Sequence, residues 1–221
     1  MNLERRPKAY LFDLDGTLVD SFRAIQLSVN HVRQFHNLTP LPMDAVRAAV
    51  GRGLQKLMEL TIPVGGLDAN CSLFTAHHPG VIATGTDVLP GVRETLAPLH
   101  GRGAKLGVCS NKPLALTTEL LSAVGLMPYF STVFGPERCP RPKPAPDMLL
   151  GALAELQVAA VETLYVGDMT IDIDTGKAAG VEVWVIPSGT QSREVLAGAS
   201  PQRILTDFRE LLNAPFPAPL H

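Results

Sequence analysis

The feature that most constrains the fold is the regular alternation of short apolar runs with amphipathic segments after Pro90. Apolar runs of this length, separated by segments with helical spacing, predict strands and helices that alternate along the chain. This order builds βαβ units, and therefore a parallel sheet covered by helices. Strands are predicted at 105–109, 131–134, 163–166 and 182–186, and helices at 92–99, 114–124, 147–156 and 171–179. The sequence thus predicts an α/β protein.

A further strand is predicted at 8–14, far from the others in the sequence. Between this strand and Pro90, apolar residues such as Ala24, Ile25 and Val29 recur at helical spacing, and little alternates as a half-buried strand would. We therefore expect a helical domain inserted after the first strand. The predicted organisation is a core at 1–19, a helical cap at 20–88, the rest of the core at 89–213 and a frayed tail at 214–221.

Composition narrows the functional classes. The chain has 221 residues, of which 46% are hydrophobic, and a net charge of −2, so that no basic excess points to nucleic acid. No apolar run has the length of a signal peptide core or of a membrane span. Three widely spaced cysteines indicate neither a disulfide framework nor a zinc site. We expect a cytoplasmic protein, a monomer or weak homodimer that binds neither nucleic acid nor membrane.

Polar side chains follow several of the predicted strands or lie in a loop beside them. They are Asp13, Asp15, Ser110, Asn111, Asp168 and Asp172, with Lys143 in the loop before the helix at 147. Ligands of open parallel sheets bind at the carboxyl ends of the strands, so these side chains are expected to meet. Carboxylates in this number attract a hard cation, and a lysine beside the cation attracts phosphate.

These residues resemble the four motifs of the haloacid dehalogenase (HAD) superfamily, in particular its phosphoglycolate phosphatase-like branch. The motifs correspond to Phe12-Asp13-Leu14-Asp15-Gly16-Thr17, to Ser110-Asn111-Lys112-Pro113, to Lys143 and to Gly167-Asp168 with Asp172. Four motifs in order, on the expected strand ends, are a specific signal. The resemblance implies a Rossmann-like core with an inserted helical cap of the C1 type. It also implies a Mg²⁺-dependent phosphatase that acts on a small phosphorylated metabolite.

The resemblance assigns the catalytic roles within the first motif. Asp13 is expected to be the nucleophile, whose carboxylate attacks phosphorus and forms an aspartyl phosphate. Asp15 is expected to be the general acid that protonates the leaving alcohol and then the base that activates water. Side chains two residues apart in a strand point the same way. Because Asp13 and Asp15 are expected to have different roles and surroundings, the chain is expected to turn just after Asp13, helped by Gly16.

The remaining residues are expected to hold the cation and the phosphate. Mg²⁺ would be bound by Asp13, the backbone carbonyl of Asp15 and Asp168. Phosphate oxygens would be bound by Ser110 and the amide of Asn111. Lys143 would neutralise charge beside Asp13, and Asp172 would orient Lys143 or a water on the cation rather than bind the cation itself.

The segment Gly51-Arg52-Gly53 matches the glycine-containing cap loop of phosphoglycolate phosphatase-like proteins, which faces the active site. Glycines on both sides favour a tight, exposed turn between two helices. Arg52 is therefore predicted to contact an anionic group of the substrate away from the phosphate. A solvated arginine in an interhelical loop is the alternative interpretation.

Several other functions fit parts of the pattern. A dehalogenase lacks an acid at the position of Asp15, which argues against that branch. A sugar-phosphate mutase, a pyrophosphatase or a nucleotidase of the same superfamily would keep the four motifs. A non-catalytic, phosphate-binding regulatory protein would be indicated by loss of a motif aspartate, and none is lost. The adjacent His77 and His78 are predicted to be a surface pair rather than a metal site, because no ligands accompany them at suitable spacing.

Overall fold

The computed structural model describes residues 6–213 and Phe216. Its strands are β1 (Ala9–Phe12), β2 (Val19–Asp20), β3 (Asp87–Val88), β4 (Lys105–Cys109), β5 (Thr132–Phe134), β6 (Thr163–Gly167), β7 (Glu182–Val185) and β8 (Arg203–Ile204). Its α-helices are α1 (Phe22–Phe35), α2 (Met43–Arg47), α3 (Leu54–Thr61), α4 (Leu67–His77), α5 (Pro79–Gly85), α6 (Val92–Gly101), α7 (Leu114–Ala123), α8 (Asp147–Leu156), α9 (Thr170–Ala179) and α10 (Arg193–Gly198). The predicted α/β class is confirmed.

Six strands form one parallel sheet in the order β5-β4-β1-β6-β7-β8. Strand β1, the first in the chain, therefore lies near the middle of the sheet, between β4 and β6. Phe12 is paired with Val108 on one side and with Val166 on the other. Because the three strands run in register and in the same direction, the residues that follow them meet at one edge of the sheet.

The sheet is buried on both faces, which explains why its strands are continuously apolar rather than alternating. In β1, Tyr10 and Phe12 pack into one hydrophobic cluster with residues of α6 and α7, whereas Ala9 and Leu11 pack into another with residues of α8 and α9. All four side chains are at most 3% exposed. The core is thus a Rossmann-like layer of helix, sheet and helix.

Helices α1 to α4, which lie between β1 and β4 in the sequence, form a separate apolar cluster, whereas Ile82 of α5 packs into the core cluster. Val29, Val32, Met58 and Phe74 belong to the separate cluster, and Leu116 of α7 joins it from the core. Strands β2 and β3 pair antiparallel at the two ends of this helical segment, with Val19 opposite Val88. This two-stranded ribbon lies close to the predicted boundaries of the cap and connects the cap to the core.

Two details differ from the sequence analysis. His78 is fully buried, and its Nδ1 lies 3.0 Å from Ser28 Oγ, so the prediction of a surface histidine pair was wrong for this residue. Burial, followed by the charge of Lys112, lowers the pKa of His78 to about 3. Phe216 is 6% exposed and packs into the core cluster, although it lies in the predicted frayed tail. The rest of that tail lies outside the described residues.

In residues 6–213, no helix is both long and apolar enough to cross a membrane.

Candidate active site

The centre of the candidate site is a buried ion-pair network around Lys143. Its Nζ lies 2.8 Å from Asp13 Oδ1 and 2.8 Å from Asp172 Oδ1, and it donates to Tyr165 Oη over 3.0 Å. The lysine side chain is 2% exposed. Asp13 directly follows β1, and Asp172 lies in the first turn of α9. The sheet thus brings together three residues that are separated by up to 159 positions in the sequence.

Asp168 lies beside this network, directly after β6. Its Oδ1 accepts a 2.9 Å hydrogen bond from Thr17, but its buried Oδ2 has no hydrogen-bond partner among the described residues. The backbone comes close to this oxygen: a Cβ added to Gly16 would lie 2.5 Å from Oδ2, and one added to Gly189 would lie 1.7 Å from it. Gly16 also has φ +90°, which favours glycine.

An unpartnered, buried carboxylate oxygen is costly unless a cation binds it. Carboxylate oxygens of Asp13, Asp168 and Asp172 all lie within 4.8 Å of one another, and hard oxygen ligands at such spacing suit Mg²⁺. Asp172 is already engaged, however. Its Oδ1 accepts from Lys143 and Tyr165, and its Oδ2 accepts from the backbone N–H groups of Asp168 and Met169. Asp13 and Asp168 are therefore the carboxylates that fit the cation, and Asp172 fits an orienting role.

Burial and charge set the protonation of the network. Burial raises the pKa of Asp13 to about 6, although the lysine ammonium opposes this shift. Burial and the neighbouring carboxylate of Asp13 raise the pKa of Asp168 well above its ordinary value. Burial alone would lower the pKa of Lys143, but the carboxylates of Asp13 and Asp172 outweigh it and raise that pKa. A divalent cation would favour the ionised form of both metal-facing carboxylates.

Asp15 lies beyond the turn and points to a different set of partners. It accepts a hydrogen bond from Ser21 Oγ at the start of α1, and both of its carboxylate oxygens lie 3.3 Å from Lys112 Nζ. The bridge from Asp15 to Val19 and the glycine at position 16 form the turn that separates Asp15 from Asp13. The two aspartates therefore have different surroundings, as their predicted roles require.

Ser110 and Asn111 follow β4 and are buried. The side chain of Asn111 connects three loops: Nδ2 donates to the carbonyls of Gly51 and Lys143, and Oδ1 accepts from the N–H of Lys143. Its side-chain amide is thus used to position Lys143 and the cap loop. Its backbone N–H meets no acceptor among the described residues, and this group remains for a phosphate oxygen.

A cavity opens above Asp13, between the core and the cap. Asp13, Asp15, Ser110, Asn111 and Lys112 form its polar floor. The cap side is apolar apart from the glycines of its loop, and its lining residues include Ile25, Val50, Gly51, Gly53, Leu54, Leu57 and Phe74. Such a wall excludes water from the reacting groups.

The structure places Arg52 away from this cavity. The arginine is exposed, forms no hydrogen bond or ion pair with any described residue, and lines a neighbouring groove with Asp68, Cys71 and Glu137. Its predicted contact with the substrate stays a prediction, which would require the cap loop to turn the side chain inward.

Sequence reasoning did not identify three members of the site. Lys112 lies within the second motif but was given no role, although its position two residues after Ser110 was visible. Tyr165 reads as a core residue of β6, and Thr17 as part of a turn. Thr17 donates to Asp168, which lies 151 residues further along the chain, and this contact could not be predicted from local spacing. Tyr165 donates to Asp172 across the turn from β6 to α9, so their separation of seven residues was a local signal that the sequence analysis did not use.

Comparison with known proteins identifies the family of this chain. A family model described as haloacid dehalogenase-like hydrolase matches residues 10–186. A phosphoglycolate phosphatase from Rhodospirillum rubrum is 36% identical over 216 residues, which cover 93% of this chain and 89% of that protein. One from Pseudomonas fluorescens is 31% identical, covering 93% and 79%. The chain therefore belongs to the haloacid dehalogenase-like hydrolase family, in its phosphoglycolate phosphatase-like branch.

A solved structure shows the same fold. The crystal structure of a predicted phosphoglycolate phosphatase from Haemophilus somnus superposes with a TM-score of 0.88 at 27% identity, covering 93% of this chain and 96% of that one. Within its family, the protein is a phosphomonoester hydrolase.

Proposed function

We propose that this protein is a Mg²⁺-dependent phosphatase that hydrolyses a small phosphomonoester resembling phosphoglycolate, through an aspartyl phosphate on Asp13. The observation that carries the proposal is the geometry of Asp13. Its carboxylate is anchored by Lys143 at 2.8 Å, faces the cavity, and lies beside the unpartnered Oδ2 of Asp168. The names of the relatives from Rhodospirillum rubrum and Pseudomonas fluorescens support the choice of substrate class.

Asp13, Asp168 and the backbone carbonyl of Asp15 would hold the cation. When bound, Mg²⁺ supplies positive charge that lets an anionic nucleophile approach an anionic phosphate. The ammonium of Lys143, which lies 2.8 Å from Asp13 Oδ1, also reduces the repulsion between Asp13 and the phosphate. Ser110 and the backbone N–H of Asn111 orient the phosphate for in-line attack by donating to its oxygens.

In the first step, an oxygen of Asp13 forms a bond to phosphorus while the bond from phosphorus to the ester oxygen breaks. Asp15 in its protonated form gives its proton to the leaving oxygen, which departs as an alcohol. In the second step, Asp15 accepts a proton from water as the water oxygen bonds to phosphorus. The bond between phosphorus and Asp13 breaks, which releases phosphate and restores both carboxyl groups to their starting forms.

The proposal is tested by steady-state assays with Mg²⁺ on a panel of compounds. The panel contains 2-phosphoglycolate, ethyl phosphate, pyrophosphate, a nucleoside monophosphate and β-glucose 1-phosphate. We expect the highest kcat/KM for 2-phosphoglycolate, with release of inorganic phosphate. A higher kcat/KM for pyrophosphate or the nucleotide, or isomerisation of the sugar phosphate without phosphate release, would contradict the proposed substrate class. No turnover of any compound would contradict the enzymatic proposal itself.

A further inference from the structure

Lys112 is a buried cation at the active site that the proposed chemistry does not use. Its side chain is 6% exposed, and it lines the cavity above Asp13. It is the one cationic side chain among the described residues that line this cavity, since Lys143 lies beneath Asp13 and Arg52 lines the neighbouring groove. Every described cap residue that lines the cavity is apolar or glycine. Any second negative charge on a substrate would therefore meet Lys112 or remain unpaired.

The contacts of Lys112 leave it free to bind such a group. Its ammonium has three donors, whereas Asp15 is its one acceptor among the described residues, with both carboxylate oxygens 3.3 Å from Nζ. Charge-assisted hydrogen bonds from ammonium to carboxylate are normally about 2.7–2.9 Å long. Lys143 makes two contacts of that kind at 2.8 Å. Compared with Lys143, Lys112 is loosely paired and has donors to spare.

The position of Asp15 locates Lys112 relative to the substrate. To protonate the leaving oxygen, the Asp15 carboxylate must come within about 3 Å of that oxygen. Lys112 Nζ lies 3.3 Å from the same carboxylate, so it is within about 6 Å of the ester oxygen. A carboxylate one methylene group beyond the ester oxygen is within reach of the flexible ammonium. The backbone of Lys112 is held by Pro113 after it and by Thr117, which donates to its carbonyl.

We propose that Lys112 is the specificity residue of this site and binds a carboxylate carried by the leaving group next to the ester oxygen. This inference rests on the proposed phosphatase function and deepens it by naming the residue that recognises the second anion. A carboxylate in an apolar cavity loses its hydration and needs a cation in contact with it. The structure provides that cation on the core side, beside the general acid, rather than on the cap loop that carries Arg52.

The test compares two phosphoesters that differ in the carboxylate. The preference, defined as kcat/KM for 2-phosphoglycolate divided by kcat/KM for ethyl phosphate, is measured for wild type and for Lys112→Met. We expect the preference to fall about ten- to hundredfold, the usual effect of a charge-assisted contact. Losing the contact with Asp15 affects both substrates and cancels in the ratio. Lys56→Met removes an exposed lysine on the cap and is the matched control, whose preference should equal that of wild type.

Two further measurements distinguish the proposed role of Lys112 from misfolding of the variant and from failure of the proposed reaction. Lys112→Arg keeps the positive charge and should retain more of the preference than Lys112→Met, which a purely structural role would not require. Binding is measured by calorimetry with 3-phosphonopropionate, an unreactive analogue of 2-phosphoglycolate, and with propylphosphonate, which lacks the carboxylate. Wild type should bind the first more tightly, and Lys112→Met should lose most of this difference.

The outcomes separate the two proposals. An unchanged preference in folded Lys112→Met would overturn the role of Lys112 and leave the phosphatase function intact. No preference in wild type would overturn both the role of Lys112 and the proposed substrate class, while phosphatase activity would still stand. A selective loss in Arg52→Ala but not in Lys112→Met would also overturn it and would assign recognition to the cap loop. Wild type that hydrolyses neither ester, but binds 3-phosphonopropionate in a Lys112-dependent manner, would support the anion site and contradict the proposed reaction.

Discussion

Lys143 holds together a cluster of buried carboxylates, and replacing it should therefore destabilise the fold as well as stop catalysis. In Lys143→Met, the carboxylates of Asp13 and Asp172 lose the cation that contacts both at 2.8 Å in a site where the lysine is 2% exposed. Removing one partner from a buried ion pair typically costs about 3–5 kcal/mol. We expect a loss of this size in the free energy of unfolding at pH 7.5 without metal, measured by urea denaturation.

Two further variants distinguish the loss of the buried ion pairs from a packing defect. Lys56→Met removes a lysine that is 43% exposed and paired with Glu59, and should cost less than about 1 kcal/mol. In the double variant Lys143→Met with Asp172→Asn, the carboxylate of Asp172 is no longer present as an unpaired buried charge. The double variant should then be more stable than the sum of the single losses predicts, by about 1–3 kcal/mol.

The effect of Lys143→Met should also shrink below pH 6, because protonation neutralises Asp13, whose pKa is raised to about 6 even with the lysine present. Equal losses in Lys143→Met and Lys56→Met, or a loss that does not change with pH, would refute the electrostatic reasoning.

Four further outcomes are expected. Asp13→Asn should abolish turnover and keep the fold, because an amide does not attack phosphorus. Activity and circular dichroism are measured together, and a folded variant with activity would contradict this prediction. Activity should require a divalent cation. Mg²⁺ should support it well and Ca²⁺ poorly, because the larger Ca²⁺ binds more oxygens in a looser geometry. Full activity in excess chelator would contradict this prediction. The raised pKa of Asp13 means that the folded protein binds this proton more tightly than the unfolded chain does. In the metal-free protein, the stabilisation that protonated Asp13 provides at about pH 4 should therefore be lost as pH rises through about 6, and Asp13→Asn should not show this loss. Mg²⁺ should raise the melting temperature more at pH 7.5 than at pH 5, and equal shifts would count against carboxylate ligands.

Most of the sheet could be predicted from the sequence because buried parallel strands are short, continuous apolar runs. The strand Lys105–Cys109 and the helix Asp147–Leu156 have the predicted bounds. Strands β2, β3 and β8 were missed, since two residues are too few to show a period. The burial of His78 was missed because it depends on how α1 packs against α4 and α5, which local spacing does not reveal.

The sequence predicted which side chains meet at the candidate site but not how they are connected. Asp13 and Asp168 were expected to meet because polar residues after buried strands converge at one edge of a parallel sheet, and Lys143 because it lies in a loop beside them. The contacts of Asn111 with the cap loop and of Lys112 with Asp15 arise between segments that lie 60 and 97 residues apart. The contact of Asn111 depends on how the cap sits on the core, and that of Lys112 depends on the pairing of β1 with β4 in the sheet. The motifs encode neither.

Detection of the covalent intermediate tests the proposed role of Asp13 as the nucleophile. The enzyme is mixed with 2-phosphoglycolate and Mg²⁺, quenched in acid during turnover, and reduced with borohydride, which converts an aspartyl phosphate to homoserine. Peptide mass spectrometry then locates the reduced residue. We expect homoserine at position 13, dependent on substrate and absent from Asp13→Asn. Turnover with unmodified Asp13, or homoserine at another aspartate such as Asp15 or Asp168, would contradict this role.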